Sequence, residues 1–334
     1  MMPNVTFIIV NWNGWKDTIE CLESIFQIKY SRYTVIIVDN ASEDDSVKKI
    51  LEYCDGKIKV DSRFFQYDFK NKPINVFECD KYKTESLIPF EKVLGQVLFI
   101  RNKFNFGFAV GNNIAIEFAF KYLNSDYFLL LNNDTVVKDD FLSELINVSI
   151  NRNFGVLSPT VYDYNDDDKI QFKIEKIRWF TGRITSENIN FDKKIEESDT
   201  ITGASMLIKR NVIERIGLLP TEYFMLWEDI DYVTMAWRNN INCGYVTNSK
   251  IWHKGSASIG VFSPMRIKFS MRNRPIFWKK YSGKYQYISF LLFWVLYHSP
   301  TVLIMGLTKS TKKINFLMYF LKGFTDGIRF NQEY

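Results

Sequence analysis

Acidic residues open a predicted helix in the segment Trp227-Glu228-Asp229-Ile230-Asp231-Tyr232. The aromatic residues in and before this segment would partly desolvate a carboxylate, and desolvation raises the pKa of a carboxylate toward the range useful for a general base. Acids in a first turn are also favoured by the helix dipole alone. The segment is therefore either a catalytic centre or an ordinary helix start.

Two further carboxylates follow predicted strands. Asp39 closes the strand Thr34–Val38, where it could accept a hydrogen bond from a nucleotide base or could form an Asx turn. Asp134 follows the strand Tyr127–Leu131, where it could bind Mg²⁺ or Mn²⁺ together with diphosphate oxygens, or could cap a turn. His253 is one of only two histidines; a lone histidine is more often structural than a ligand.

The segment from Asn102 to Asn113 joins a predicted strand to a helix and contains Gly107 and Gly111. Such glycines let a helix N-terminus approach a phosphate or a ribose closely. They could equally serve tight packing of the helix on the sheet. The G-x-G-x-x-G pattern of dinucleotide-binding proteins is absent after every predicted strand.

The elements that must position these residues alternate between strand and helix over residues 1–135, which predicts a parallel sheet with helices on both faces. Right-handed crossovers then place the carboxyl ends of the strands at one edge, where ligands bind in such sheets. The predicted strands are Val5–Val10, Thr34–Val38, Gln96–Ile100 and Tyr127–Leu131, and the predicted helices are Trp15–Gln27, Ser46–Tyr53 and Phe108–Tyr122.

The pattern is less regular elsewhere. Residues 55–95 lack a clear period and are interpreted as an insertion that could shape an acceptor site or a subunit contact. After residue 135 the sequence predicts helices at Phe141–Ile150 and Glu228–Asn239, β-like stretches at Gly155–Tyr162 and Ile170–Ile184, and strands at Gly203–Ile208 and Cys243–Val246.

The composition excludes a disordered or collagen-like chain, since 46% of the 334 residues are hydrophobic and only 16 are glycine. Four scattered cysteines without a C-x-x-C pair predict a reduced, cytoplasmic protein. No basic residues precede the first apolar run, so a secretory signal is not expected.

The C-terminal region 262–334 carries twelve Lys and Arg residues against two acids, although the whole chain has a net charge of only +5. Residues 287–307 lack a formal charge and nearly reach the length of a membrane span, but Pro300 is expected to break a helix there. Two short apolar helices lying on an anionic membrane surface fit best. A span or hairpin, and a buried or dimeric helix pair, remain alternatives. Nucleic acid is not expected, because large aliphatic residues alternate with the basic ones.

Six motifs, in this order, resemble those of the family 2 glycosyltransferases with the GT-A fold, especially the bacterial and archaeal branch that includes rhamnosyltransferases. The motifs are V-N-W-N-G at 10–14, V-D-N-A-S at 38–42, N-F-G-F-A at 105–109, L-N-N-D at 131–134, T-G-A at 202–204 and W-E-D-I-D at 227–231. The resemblance implies an α/β GT-A domain over residues 1–261, with a mostly parallel sheet flanked by helices. Its nucleotide-binding half would be 1–135, its acceptor and catalytic half 136–261, and 262–334 would form the membrane-associated helical region.

The resemblance also implies roles for individual residues. Asp39 would read the pyrimidine base of a nucleotide-sugar donor, supported by the backbone near Val10 and Asn11. Asp134, at the D-x-D position, would hold Mg²⁺ or Mn²⁺ on the donor diphosphate, and His253 would complete that site. Further donor-binding residues are Asn105, Gly107, Asn132, Asn133, Gly203 and Ala204.

Asp229 falls where the family places its catalytic base, and Glu228 is its neighbour. The implied activity is an inverting transfer of a sugar from a UDP- or dTDP-sugar to a hydroxyl of a glycan or lipid-linked saccharide, in the synthesis of cell-surface glycans. The enzyme would lie on the inner face of the cell membrane, and a homodimer is left open.

Two alternatives remain. The D-x-D position reads Asn-Asn-Asp and so offers a single carboxylate, which would suit a nucleotide-sugar-binding protein without turnover. A nucleotidyltransferase would need a glycine-rich, basic loop after the first strand, and residues 11–15 contain no basic side chain.

Overall fold

The computed structural model describes residues 2–80, 96–255, 263–310 and 312–330. One half of its main sheet consists of five parallel strands, in the spatial order β3-β4-β2-β1-β5. These strands are β1 (Val5–Asn11), β2 (Tyr33–Asp39), β3 (Val76–Asp80), β4 (Val97–Arg101) and β5 (Tyr127–Leu131), and the connecting helices are α1 (Trp15–Ile25), α2 (Ser46–Cys54) and α3 (Gly107–Tyr122). Central strands of this kind are covered on both faces, which is why they read as continuous apolar runs.

The other half of the sheet is mixed. Its strands are β6 (Thr135–Val137), β7 (Phe154–Asp163), β8 (Asp166–Ile170), β11 (Ile195–Glu197), β12 (Ser205–Lys209) and β13 (Asn242–His253). Strand β12 lies antiparallel between β5 and β7, and β13 runs parallel to β7. A separate hairpin is formed by β9 (Ile174–Arg178) and β10 (Arg183–Glu187), and the helices are α4 (Phe141–Arg152), α5 (Arg210–Ile216) and α6 (Glu228–Arg238). The predicted α/β class, with a mostly parallel sheet flanked by helices, is confirmed.

The interpretation of residues 55–95 as an insertion without a clear period did not predict a strand there. Within its described part, 55–80, strand β3 extends the parallel sheet at its edge beside β4. The strand reads Val-Phe-Glu-Cys-Asp, and Val76 and Phe77 are only partly buried, so it lacks the apolar run that identified the central strands. A buried ion pair between Lys72 and Glu23 of α1, at 2.8 Å, fixes this segment to the body of the protein.

Strand β13 is longer than the predicted Cys243–Val246 and ends at His253. Its pairing with β7 shifts register between Val246 and Lys250, which marks a bulge that interrupts the apolar pattern halfway along the strand. Because the strand continues past the bulge, His253 is its last residue and is held by the sheet. Strands β6 and β11 and helix α5 are short elements that the sequence patterns did not predict.

The C-terminal region consists of α7 (Pro264–Tyr281), α8 (Lys284–Phe293), a π-helical turn (Trp294–His298), α9 (Ser299–Lys309) and α10 (Lys313–Arg329). The predicted break at Pro300 is wrong, because α8, the π-helical turn and α9 form one uninterrupted helix over Lys284–Lys309. The wider turn precedes the proline, which occupies the first turn of α9 and whose missing N–H is tolerated there.

Among the described residues, the helix Lys284–Lys309 is the one that is long and apolar enough to cross a membrane by length and composition. Most of its apolar stretch is not buried. The inward side is held by an aromatic cluster in which Trp278 stacks on Phe290 and Trp294 stacks on Phe324. The helix is therefore attached to the body of the protein along one side while its other side is open.

Candidate active site

The first candidate region lies at the ends of β1 and β2, where parallel pairing sets Asn11 beside Asp39. Asp39 is 3% exposed, and its Oδ1 accepts hydrogen bonds from Asn11 Nδ2 at 2.8 Å and Ser42 Oγ at 2.6 Å. Its Oδ2 accepts one from the Ser42 amide at 3.0 Å, three residues on, whereas the Asx turn considered from the sequence would join it to the amide two residues on. A carboxylate oxygen has two acceptor positions, and Oδ2 thus keeps one for a further donor. The Val10 side chain packs against Gly111 of α3, where a Cβ would lie 3.2 Å from it.

Asn40 joins this region to the loop before α3. Its Nδ2 donates to Asn105 Oδ1 at 3.1 Å and to the carbonyl of Gly107 at 3.0 Å. Gly107 has a φ of +82°, and a Cβ there would lie 2.1 Å from the carbonyl oxygen of Phe224. The glycine is therefore required for close contact with the segment that precedes α6, in addition to any approach to a phosphate. Gly111 likewise serves packing on β1.

His253 and Asp134 form the second region, at the end of β13 and just beyond β5. His253 Nε2 lies 3.1 Å from Asp134 Oδ1, and the two residues are 6% and 8% exposed. The Gln171 amide contacts His253 twice: its Nε2 donates to the His253 carbonyl at 2.8 Å, and its Oε1 lies 2.8 Å from His253 Nδ1. Gln171 must therefore accept from Nδ1–H. This assigns the remaining proton of neutral imidazole to Nδ1 and leaves the Nε2 lone pair facing the carboxylate.

A nitrogen lone pair and a carboxylate oxygen facing one another suit a divalent cation, or a protonated histidine in its absence. Among the described residues, no group of three or more His, Cys, Asp and Glu side chains could hold a metal by itself. Mg²⁺ and related cations are usually held by one or two protein groups together with substrate phosphates and waters. The two groups present fit a cation that binds together with a diphosphate.

The other amides of this motif have internal partners. Asn133 Nδ2 donates to Thr18 Oγ1 at 3.0 Å and to the Gly14 carbonyl at 3.3 Å, so this side chain fixes the start of α1. Asn132 Nδ2 approaches His253 Nε2 at 3.4 Å. Of the three residues at the D-x-D position, only Asp134 offers a carboxylate to a ligand.

The third region is the start of α6, where Glu228 and Asp229 share the first turn. Asp229 Oδ2 accepts from the Gly203 amide at 2.8 Å, and its Oδ1 accepts from the Ile230 amide at 2.8 Å. Burial raises the pKa of Asp229, and these amides oppose that rise. Glu228 is 6% exposed, and burial followed by the charge of Asp229 raises its pKa well above the usual carboxyl range. Burial therefore disfavours the simultaneous ionisation of both carboxyl groups.

Glu228 Oε2 is buried and has no hydrogen-bond partner among the described residues. A buried carboxyl oxygen without a partner is costly unless the group is protonated or meets a ligand. Its position beside Asp229 is consistent with a site that is completed by a substrate.

The two residues before Glu228 have unusual backbone conformations. Leu226 has a φ of +67° and Trp227 a φ of +81°, both in the left-handed region that side chains disfavour. Asn273 of α7 donates to the carbonyls of Met225 at 2.9 Å and Leu226 at 2.8 Å, and so holds this turn. Strained turns of this kind cluster at functional sites. The sequence analysis did not predict the role of Asn273.

Asp231, the third acid of the motif, has a different environment from its neighbours. Its fully buried carboxylate accepts hydrogen bonds from Tyr223 at 2.8 Å, from Lys280 Nζ at 3.0 Å and from the Tyr281 hydroxyl. These partners lie before α6 and at the end of α7. Asp231 thus joins the helix that bears Asp229 to the C-terminal helices, and is a positioning residue.

Two backbone hydrogen bonds unite the second and third regions. The Asn132 amide donates to the Ala204 carbonyl at 2.9 Å, and the Gly203 amide donates to Asp229. Because Gly203 and Ala204 are adjacent, the loop that contains Asp134 and the start of α6 contact the same stretch of chain. The structure thus brings Asp134, His253, Gly203, Ala204 and Asp229 to one edge of the sheet.

Solved structures with the same arrangement of elements are glycosyltransferases. One is the fragment 1–349 of TarS from S. aureus, with a TM-score of 0.55 and 13% identity, over 98% of this chain and 81% of that chain. Another is the mannosyltransferase PcManGT from Pyrobaculum calidifontis in complex with GDP-Man and Mn²⁺, with a TM-score of 0.55 and 12% identity, over 98% of this chain and 88% of that chain. At these identities the likeness establishes a shared fold, that of the GT-A glycosyltransferases.

The family follows from the sequence itself. A model of glycosyl transferase family 2 matches residues 6–66 and 83–217, which is more than half of the chain, so the chain belongs to that family. A curated relative is the low-salt glycan biosynthesis hexosyltransferase Agl10 of Haloferax volcanii, with 26% identity over 145 residues. The match covers 42% of this chain and 46% of that relative.

Proposed function

We propose that this protein is an inverting glycosyltransferase that moves a hexosyl or deoxyhexosyl unit from a UDP- or dTDP-sugar to a hydroxyl group of a glycan or lipid-linked saccharide. The observation that carries the proposal is the pair of hydrogen bonds from Asn132 to Ala204 and from Gly203 to Asp229. Asp134 as the group that binds the diphosphate and Asp229 as the base would then act beside a common stretch of chain, as single displacement requires.

The donor nucleotide would lie across the ends of β1 and β2. Asp39 has an acceptor position left on Oδ2 and is held in orientation by Asn11 and Ser42, so it would accept the imide N–H of a pyrimidine base. Asn105 and Gly107 border the same region through Asn40. The diphosphate would extend toward Asp134, with the sugar beside Gly203 and Ala204.

Asp134 and His253 would hold Mg²⁺ or Mn²⁺ on the donor diphosphate, where the cation would supply Lewis-acid stabilisation of the departing charge. Two of the structures with this fold were obtained with Mn²⁺, one beside UDP and GalNAc and one beside GDP-Man. Gln171 would keep His253 in the tautomer that presents Nε2 to the site.

Asp229 would remove the proton from the acceptor hydroxyl as its oxygen attacks the anomeric carbon from the face opposite the diphosphate. Burial raises the pKa of Asp229, which makes it a stronger base than an exposed aspartate. The amides of Gly203 and Ile230 keep it oriented. Glu228, whose pKa is raised by burial and then by the charge of Asp229, would line the acceptor side of the base.

The C-terminal helices would place the enzyme on an anionic membrane surface at the inner face of the cell membrane. Large apolar side chains on the open side of these helices include Leu292, Leu296, Ile304, Ile314, Met318 and Leu321, all exposed. Lys309, Lys312 and Lys313 lie at the junction between α9 and α10. Apolar residues beside basic ones suit insertion among acyl chains beneath anionic head groups.

Thermal unfolding of the purified protein with UDP, dTDP, GDP or CDP, each with and without Mn²⁺, tests the donor site. A ligand at about 100 times its dissociation constant adds about 2.7 kcal/mol of stability. We expect a Mn²⁺-dependent rise in Tm with UDP or dTDP, and its loss in Asp134→Asn. A folded protein that responds to none of the four nucleotides would contradict the proposal. Nucleotide binding without transfer to any acceptor would favour the non-catalytic alternative.

A further inference from the structure

A cavity of about 430 Å³ lies between the start of α6 and the C-terminal helices. Its volume is in the range of small-ligand sites. One wall contains Leu226 and Ile230 beside the two acids, Glu228 and Asp229. The other walls are formed by residues spaced three or four apart on two helices, which places them on common faces: Arg266, Ile267 and Ser270 of α7, and His298, Val302 and Met305 of the helix Lys284–Lys309.

The acidic and the basic side chains that line this cavity lie on different helices. The acids occupy the α6 side, while Arg266 lies on the α7 side with the hydroxyl of Ser270 one turn away. A second guanidinium, that of Arg274, donates to His298 Nε2 at 2.8 Å and to the Gly182 carbonyl at 2.8 Å, immediately behind the His298 wall. Among the described residues that line the cavity, Arg266 is the one Lys or Arg, and Ser270 adds a hydroxyl on the same helix face; a guanidinium and a hydroxyl together suit a phosphate.

The helix that supplies His298, Val302 and Met305 is also the one whose opposite side is apolar and exposed. Leu296 and Ile304, on that helix, are 73% and 64% exposed. A ligand held in the cavity would thus have Asp229 at one end. At its other end it would meet the exposed apolar side of the helix Lys284–Lys309, which suits acyl or isoprenyl chains. No soluble glycan requires that second feature.

We propose that this cavity is the acceptor subsite for a saccharide carried on a phosphate-linked lipid, with the phosphate against Arg266 and the reacting hydroxyl toward Asp229. The proposal rests on the glycosyltransferase function proposed above and selects one class of acceptor within it. The lipid chain leaves the cavity along the helix Lys284–Lys309 into the membrane on which that helix lies. Arg266 then binds the phosphate, and the aliphatic side chains of the cavity contact the first part of the lipid chain.

A photoreactive lipid phosphate tests the inference without knowledge of the sugar. The full-length protein is incubated with phosphatidylcholine vesicles containing hexadecyl phosphate that bears a diazirine near the phosphate, irradiated, digested and mapped by mass spectrometry. We expect labelling within Leu226–Ile230 and His298–Met305, displaced by unlabelled hexadecyl phosphate but not by hexadecanol or by inorganic phosphate at the same concentration.

Two substitutions change different walls of the cavity. Arg266→Gln removes the charge and is expected to lower this labelling about tenfold, since a charged hydrogen bond to phosphate is lost. Met305→Trp keeps the charge and fills the cavity, and is expected to lower the labelling as strongly. Lys268→Gln, two residues from Arg266 on the same helix but outside the cavity lining, is the matched control and should stay within twofold of the wild type.

Three outcomes would overturn the inference. Equal losses in Arg266→Gln and Lys268→Gln would indicate general attraction to an anionic surface. Displacement by hexadecanol would show that the phosphate is not recognised, and displacement by inorganic phosphate would show that the site takes a free anion instead of a lipid. The nucleotide measurements do not involve this cavity, so a protein that binds UDP or dTDP with Mn²⁺ but fails here loses only the acceptor assignment.

Discussion

The amide of Gly203 donates a hydrogen bond of 2.8 Å to the Asp229 carboxylate, which links two segments 26 residues apart in the chain. Gly203 precedes β12, the strand that lies beside β5, and Asp134 follows the end of β5. The bond therefore fixes the distance between the two halves of the proposed reaction, departure of the diphosphate and deprotonation of the acceptor. Positioning of this kind supplies much of the rate acceleration in group-transfer enzymes.

We predict that Asp229→Asn lowers the rate of sugar transfer by about 100-fold or more, because general-base catalysis contributes on that scale. Nucleotide affinity should change little, since the residue lies on the acceptor side. Turnover and nucleotide-induced Tm shifts are measured side by side, with the exposed Glu214→Gln as the control. A folded Asp229→Asn that transfers sugar at the wild-type rate would remove Asp229 from the role of base.

The pH dependence of turnover should reflect the burial of the acid pair. Asp229 acts as a base only when ionised, and burial raises its pKa. The acid limb of the kcat profile should therefore have its midpoint above about 3.9, the value of an unperturbed aspartate. Activity falls as the pH drops through the raised pKa. A midpoint at or below the ordinary value would show that the acid controlling turnover is solvated.

Glu228→Gln should make stability less dependent on pH. Burial raises the pKa of Glu228, so above the ordinary carboxyl pKa the unfolded chain has lost a proton that the folded protein keeps. Stability conferred by that proton therefore decreases as the pH rises toward the raised pKa. The free energy of unfolding of Glu228→Gln relative to wild type should be higher at pH 8 than at pH 5, because only the wild type carries a proton that the unfolded chain releases over that range. Urea denaturation of both proteins at the two pH values gives the difference; an unchanged difference would show that Glu228 is ionised in the folded protein.

Gln171→Ala should weaken Mn²⁺-dependent nucleotide binding by about 10- to 100-fold, the usual effect of removing a group that orients a metal-ligating histidine. Gln171→Glu keeps an oxygen to accept from His253 Nδ1–H and should stay closer to the wild type. The measurement is a Mn²⁺ titration of the nucleotide-induced Tm shift, with Tm in the absence of Mn²⁺ as the check on structure. Equal metal requirements in all three proteins would contradict the assigned tautomer.

Asn273→Ala should release the turn at Leu226 and Trp227. Two hydrogen bonds are lost, each worth about 0.5–1.5 kcal/mol, and the left-handed residues lose the contact that holds them. We expect a fall of about 2 kcal/mol in the free energy of unfolding and a larger fall in kcat than in nucleotide affinity. Asn239→Ala, which loses a hydrogen bond at the other end of α6, is the matched control. A purely structural effect would lower stability in both and leave kcat unchanged in the folded fraction.

The sequence alone was sufficient where apolar runs and side-chain types act locally. Strands such as Tyr127–Leu131, buried on both faces, and the polar residues that end them were predicted because a parallel sheet must cover its centre and expose its carboxyl edge. The order of the six motifs also indicated the family. Several motifs nevertheless allowed a structural interpretation, and for Gly111 that interpretation, packing of the helix on the sheet, describes the contact found.

Tertiary structure decided what depends on residues distant in the chain. The tautomer of His253 is set by Gln171, 82 residues away. The hydrogen-bond partners of Asp231 include Lys280 and Tyr281 of the C-terminal helices. Edge strand β3 and the continuous helix through Pro300 were not predicted, because contacts with neighbouring elements stabilise them and their sequences lack the usual periodic pattern. Local sequence patterns thus determined which chemical groups the chain carries. Packing between distant segments decided that Glu228 is desolvated, that Asp231 is held by Lys280 and that a cavity faces Asp229.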